Sequence, residues 1–283
     1  MANPVPRSTS RACVARLPFD ITLGPYELSV EFHPRAAMYD RRRLACVNLV
    51  AGRIELRHDL AGLELARAFF DCIIRLVHFS KGCQEGCVEE AYTHSFATGM
   101  VEFARRNGRA WRWFNLLLTQ HLPGRTGYDR VVRGAVARPP AMPRHVLVGR
   151  HEVRLRGISR TESGSAFGWY VFAKREAQLY RGLSGSNLAI VALHEITHAV
   201  HHVHGLDNGH SHRDFRRAQL QGWFGVMQRS PAAWRWLAWL MSFPEQANLD
   251  APGATAAPAT PAPRAAWPQR ARSKRSAAPV NPR

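Results

Sequence analysis

The chain has 283 residues, with 39 lysines and arginines against 21 aspartates and glutamates, and its formal net charge is +18. This length allows one large domain or two small ones, and the absence of an apolar run of about 18 residues argues against a membrane protein. No apolar segment follows the first arginines, so we expect no signal peptide and reduced cysteines in a cytoplasmic protein.

The positive charge is carried almost entirely by arginine, because lysine occurs only at positions 81, 174 and 274. Two interpretations remain open. One is the arginine-rich codon usage of a GC-rich genome, and the other is attraction to polyanions, most plausibly nucleic acid, through the basic surface and a basic C-terminal segment. No recognisable nucleic-acid-binding motif favours the second.

Hydropathy patterns predict a loose arm over 1–19 and a first α+β unit over 20–118. The strands of this unit are predicted at 20–32, 45–50 and 53–57, and its helices at 60–79, 83–106 and 110–118.

A linker rich in arginine, glycine and proline is predicted over 119–146, and a second unit over 147–243 repeats the order of elements. Its strands are predicted at 151–158, 167–173 and 176–181, with the last two as a hairpin, and its helices at 187–204, 214–228 and 231–241. The Ala/Pro-rich basic tail over 244–283 cannot form a core, and its composition predicts disorder.

The two units are related by an internal repeat. Ala110-Trp111-Arg112-Trp113 recurs 123 residues later as Ala233-Trp234-Arg235-Trp236. With the same offset and no gap, Val77, His78 and Gly99 correspond to Val200, His201 and Gly222. The sequence therefore predicts two copies of one strand-strand-strand-helix-helix-helix unit.

The second unit contains His194-Glu195-Ile196-Thr197-His198 in an apolar helix for which Ser186 or Asn187 is the expected N-cap. Residues four apart share a helix face, so His194 and His198 can bind one metal ion. Glu195 can reach a water on that ion without binding the metal itself. The pattern predicts a Zn²⁺ site in which Glu195 is the general base of a hydrolysis.

Catalytic zinc usually has three protein ligands. His212 is the favoured third ligand because the chain can turn back after Gly205 and Gly209, with His210 next. His204 ranks below both, because an unbroken helix would direct it away from the metal.

The positions that carry His194, Glu195 and His198 in the second unit carry, in the same order, Asp71, Cys72 and Arg75 in the first. An arginine at a ligand position repels a cation. We therefore expect a degenerate, non-catalytic copy that packs against the active one.

The motif at 194–198, followed by His212-Arg-Asp-Phe215, resembles SprT-like (Spartan-type) metallopeptidases over about 148–241. The resemblance implies a zincin-like unit, with a small sheet whose edge strand lies along the cleft, beside an active-site helix and a supporting helix. It also implies zinc-dependent hydrolysis of a protein or peptide, and some such enzymes act on proteins bound to DNA. Together with the repeat, it predicts an α+β tandem of zincin-like units, the first degenerate.

Two other functions remain open. One is a non-catalytic, zinc-stabilised and arginine-rich module that binds nucleic acid or a protein partner. The other is a regulator that cleaves one partner or its own chain, near Arg125 or Pro139.

Overall fold

A computed structural model describes residues 20–83, 86–119 and 140–242. The predicted arm over 1–19, the predicted tail and most of the predicted linker, including Arg125 and Pro139, lie outside these residues.

The first half forms a four-stranded sheet followed by three helices. The strands are β1 (Asp20–Leu23), β2 (Tyr26–His33), β3 (Ala45–Asn48) and β4 (Arg53–Arg57), in the order β1-β2-β4-β3. Strands β2 and β4 are parallel, and the other pairs are antiparallel. The single strand expected over 20–32 is a hairpin, because Gly24 adopts a φ of +55° that turns the chain.

Helices α1 (Gly62–Ser80), α2 (Glu89–Arg106) and α3 (Gly108–Thr119) follow. Helix α2 begins at Glu89 and not at Cys83 as the sequence suggested. Gly82 and Gly86 have φ values of +67° and +84°, which interrupt a right-handed helix.

The second half repeats this arrangement. Its strands are β5 (His145–Val148), β6 (His151–Ile158), β7 (Gly168–Val171) and β8 (Glu176–Tyr180), in the order β5-β6-β8-β7. A one-turn helix α4 (Arg160–Ser163) separates β6 from β7, and α5 (Gly185–Val203), α6 (His212–Arg229) and α7 (Pro231–Ser242) complete the half. Strand β5 was not predicted and falls partly in the expected linker.

The structure confirms the α+β class. Each half has a four-stranded mixed sheet, one strand more than the three predicted. From β3 onward, each element of the first half has a counterpart in the second half that begins and ends 123 residues later. Helices α1 and α5 are one such pair. No helix of the described residues is long and apolar enough to cross a membrane.

The halves contact each other through residues that the repeat makes equivalent. The rings of Trp111 and Trp234 lie 5.7 Å apart, and those of Tyr92 and Phe215 lie 4.4 Å apart. All four side chains are buried. Contacts between equivalent residues are typical of a surface with two-fold symmetry.

The helix packing inside each half is also equivalent. A Cβ added at Gly99 would lie 2.5 Å from Val77 Cγ1, and one added at Gly222 would lie 2.4 Å from Val200 Cγ1. Both distances are shorter than van der Waals contact. Each glycine therefore allows the second helix of its half to approach the first closely.

We expect Gly222→Ala to lower the free energy of unfolding by about 1–3 kcal/mol, because the new methyl overpacks Val200. Chemical denaturation would measure the loss, and Val200→Ala in the same background should recover part of it. Gly225→Ala is the matched control in helix α6, because its Cβ would meet only the end of the flexible Arg229 side chain, at 3.3 Å. Equal losses in both variants would contradict the packing argument.

A candidate metal centre between the two halves

Helix α5 brings the two histidines of the motif together. Its N-cap is Ser184, two residues before the earlier of the two expected caps, and Gly185 enters the helix with a φ of +59°. His194 Nε2 and His198 Nε2 lie 3.0 Å apart, one helical turn from each other. The spacing in the sequence therefore produces the expected pair of converging nitrogens.

The third group at this point is Glu90, which lies on α2 of the first half. Its Oε1 is 3.2 Å from His194 Nε2, and its Oε2 is 3.3 Å from His198 Nε2. Among the histidine, cysteine and acidic side chains of the described residues, Glu90, His194 and His198 bring their donor atoms close enough together to hold one ion.

The donor set suits Zn²⁺. Two ligands of a tetrahedral zinc ion, each about 2.0–2.1 Å from the metal, lie about 3.3–3.4 Å apart. The two histidine Nε2 atoms lie 3.0 Å apart, and each lies 3.2 or 3.3 Å from a different oxygen of the Glu90 carboxylate, which is close to the ligand separation in such a tetrahedron. Two imidazoles and one carboxylate are also a ligand set found in catalytic zinc sites.

Glu89, the neighbour of Glu90, orients the histidines from behind. Its Oε1 lies 3.0 Å from His198 Nδ1 and 2.7 Å from His201 Nδ1. Such a contact holds the proton of His198 on Nδ1 and leaves Nε2 for a metal. Burial opposes the charge on His198, but hydrogen bonds to Glu89 and Glu90 raise its pKa to about 10. A metal ion that binds Nε2 would therefore displace a proton from it.

Glu195 is buried beside the edge strand β7. A Cβ at Gly168 would lie 2.8 Å from Glu195 Oε1, so only glycine lets the strand lie this close to the carboxylate. The backbone N–H of Tyr170 donates a hydrogen bond to the same side chain. Burial raises the pKa of Glu195 to about 7, against the opposing effect of the nearby His194 and His198.

The structure does not bring the other predicted ligands to this cluster, which corrects the choice of His212. His212 opens α6 and faces the first half, where its Nε2 lies 2.9 Å from His78 Nδ1. His210 lies in the preceding loop with its Nδ1 2.9 Å from Asp207 Oδ1, and His204 is the C-cap of α5.

The first half contributes more than the scaffold expected from its sequence. At the positions that correspond to His194 and His198 under the repeat, the first half has an ion pair, in which Arg75 Nη2 lies 2.9 Å from Asp71 Oδ2. Its helix α2, however, lies against α5 and supplies Glu89 and Glu90. Under the repeat Glu89 corresponds to His212, so the contact of Glu89 with His201 is the counterpart of the contact between His212 and His78.

One signal for the missed acids was present in the sequence. Glu90 and His94 are four residues apart on α2, so they share one face of the helix. This face is polar and lies next to the apolar face of the same helix. The His94 ring lies 6.3 Å from the His194 ring. No local pattern could show that this face meets the second half.

Models of known protein families, curated proteins and solved structures were all searched with this chain, and none of them matches it. The similarity to SprT-like metallopeptidases therefore rests on the motif residues alone.

The pair of His78 and His212 predicts a loss of stability in acid. Burial, with a contribution from His212, lowers the pKa of His78 to about 3, whereas an unfolded histidine titrates near 6.5. The unfolded chain then binds a proton that the folded chain does not, so stability falls as the pH drops below about 6.5. Between pH 7 and 5 the expected loss is about 2 kcal/mol.

Urea denaturation at both pH values would measure this loss, which should shrink in His78→Phe. His145→Ala is the control, because that histidine is half exposed. An unchanged pH dependence in His78→Phe would show that other groups cause it.

Proposed function

We propose that the protein is a zinc-dependent metallopeptidase that cleaves a protein or peptide substrate. The observation that carries the proposal is the convergence of Glu90, His194 and His198 beside a separate, buried Glu195. A purely structural zinc site is usually closed by four protein ligands. Three ligands with an unbound carboxylate nearby are typical of a catalytic site.

Zinc held by these residues would polarise the scissile carbonyl and lower the pKa of water. Glu195 acts as the general base, taking the proton of the attacking water and delivering it to the leaving amine. Burial raises the pKa of Glu195, which favours its acceptance of the proton, and the positive charge of a bound zinc ion would oppose this rise. Glu89 is a positioning residue, since it contacts His198 and His201 and does not contact the donor nitrogens.

The substrate would lie along β7, the edge strand of the second sheet beside Glu195. An extended peptide can pair with the free backbone groups of an edge strand. Phe172 is 55% exposed directly after this strand, and it offers an apolar contact to substrate side chains.

The repeat belongs to the same proposal. The equal spacing of elements supports two copies of one zincin-like unit, the first of which has no motif of its own. It instead provides the acidic ligand to its partner copy.

Cleavage of an unfolded protein such as casein by the full chain is the direct test. We expect cleavage with one equivalent of Zn²⁺, none after removal of the metal by a chelator, and recovery when zinc is restored. Zinc-loaded protein that cleaves neither casein nor a mixed peptide library would contradict a general peptidase. The zinc-stabilised binding module would then be favoured, and a cluster of arginines on the second sheet supports that candidate.

A further inference from the structure

One end of the second sheet carries a basic cleft that lies apart from the candidate metal centre. Its volume is about 540 Å³. Besides Leu155 and Gly157, its walls are four arginines, one histidine and one acid: Arg144, Arg154, Arg156, Arg181, His145 and Glu162.

The strand pattern places two of the cleft arginines, Arg154 and Arg156, on the outer face of the sheet. Side chains alternate along β6, so Val153 and Leu155 are buried while Arg154 and Arg156 point outward. Arg144 lies opposite Leu155, and the Arg181 side chain lies 3.1 Å from the position of a Cβ on Gly157, so these two arginines flank the same end of the sheet from the side of the buried residues.

The acids near the cleft neutralise only part of its charge. Arg156 forms an ion pair with Glu162, and its Nη1 lies 3.7 Å from Glu176 Oε1. Arg154 Nη1 lies 3.8 Å from Glu176 Oε2. Across the described ranges, Arg144 and Arg181 have no carboxylate within ion-pair distance, so neither positive charge is neutralised by direct contact. Arg181 Nε donates a hydrogen bond to the carbonyl oxygen of Gly157 at 3.2 Å, which fixes the guanidinium beside the cleft.

The other sheet shows that the cluster is not a general consequence of arginine-rich composition. In the strand register of the second sheet, Arg154 lies opposite Glu176 and Arg156 lies opposite Gln178. At the same places in the first sheet, Ser29 lies opposite Arg53 and Glu31 lies opposite Glu55. The first half therefore has a serine and a glutamate where the second half has the two cleft arginines.

An exposed aromatic ring lies on the face of the second sheet that carries Arg154 and Arg156. Gln178 pairs with Arg156 on one side and with Trp169 on the other, so the three side chains form one row across the sheet. Two strand spacings separate Arg156 from Trp169, about 10 Å. Trp169 is 53% exposed. Guanidinium groups that bind phosphates, next to a ring on which a base can stack, are the elements of a single-strand binding surface.

We propose that this cleft binds the phosphodiester backbone of single-stranded nucleic acid, with a base stacked on Trp169. A single strand is favoured over a duplex because the faces of its bases are open to stacking. The site does not depend on peptidase activity.

The test measures fluorescence anisotropy of a labelled 20-nucleotide oligothymidine with the full chain over a range of salt concentrations. Arg144→Gln/Arg181→Gln removes the two unpaired cleft arginines. Arg41→Gln/Arg42→Gln is the matched control, since it removes the same charge from exposed positions of the first half. We expect the cleft variant to bind at least tenfold more weakly at 100 mM salt, with a salt slope reduced by about 1.4.

Trp169→Ala should lower the affinity at least fivefold and Trp169→Phe should retain it, because phenylalanine can still stack. Circular dichroism and melting would show that each variant is folded. Equal weakening in the two double variants would mean that bulk charge drives binding, and it would overturn the proposal. So would tighter binding of a duplex, or the absence of oligonucleotide binding.

Discussion

Replacement of Glu90 by alanine is expected to lower the affinity for zinc by at least about 100-fold, although Glu90 lies more than a hundred residues before the histidine motif. Its two carboxylate oxygens are the nearest acidic atoms to His194 Nε2 and His198 Nε2, at 3.2 and 3.3 Å. Even changes behind the ligands typically reduce metal affinity 10–100-fold, so loss of a ligand should exceed that. Competition with a chromophoric chelator and elemental analysis would measure it.

His212→Ala is the matched comparison, because sequence reasoning selected that residue and the structure places it against His78. We expect this variant to retain one zinc ion per chain, while His198→Ala loses it. Zinc retained in Glu90→Ala and lost in His212→Ala would reverse the assignment of the third ligand.

Glu195→Gln is expected to reduce kcat by about 10²–10⁴-fold and to leave the zinc content unchanged, because the amide fills the same space but cannot accept a proton. Folding should be preserved, since burial already disfavours the charged form of this side chain. Steady-state cleavage of a fluorogenic peptide, with metal analysis of the same sample, would separate the two effects.

Glu152→Gln is a suitable control for this variant, because Glu152 is exposed on β6 and contacts His145 at the far edge of the sheet. Full activity in Glu195→Gln would rule out the assigned general base. Loss of zinc in that variant would indicate that Glu195 acts on the metal site directly.

Local periodicity predicted the helices well, because each of them buries one apolar face. Helix α5 is an example, since Leu188, Ala192 and Leu193 pack into the core. The errors lie where periodicity is weak. Strand β5 has only four residues, and the start of α2 depends on the φ angles of Gly82 and Gly86.

The candidate site was predictable only where it is local. His194 and His198 share one helical turn, so their spacing alone indicates a common target. Glu90 joins them because α2 of one half packs against α5 of the other, and no pattern within either segment encodes that contact. The repeat matches Glu89 to His212, but it does not indicate that the neighbouring Glu90 reaches the histidines of the other half.

The division of the metal ligands between the halves also has a thermodynamic consequence. A ligand that binds only the assembled form stabilises that form by RT ln(1 + [L]/Kd). Because Glu90 and the two histidines belong to different halves, a zinc ion held by them would act as a cross-link between α2 and α5. The availability of zinc would then set how often the halves separate, and amide hydrogens at this contact should exchange faster in chelated protein.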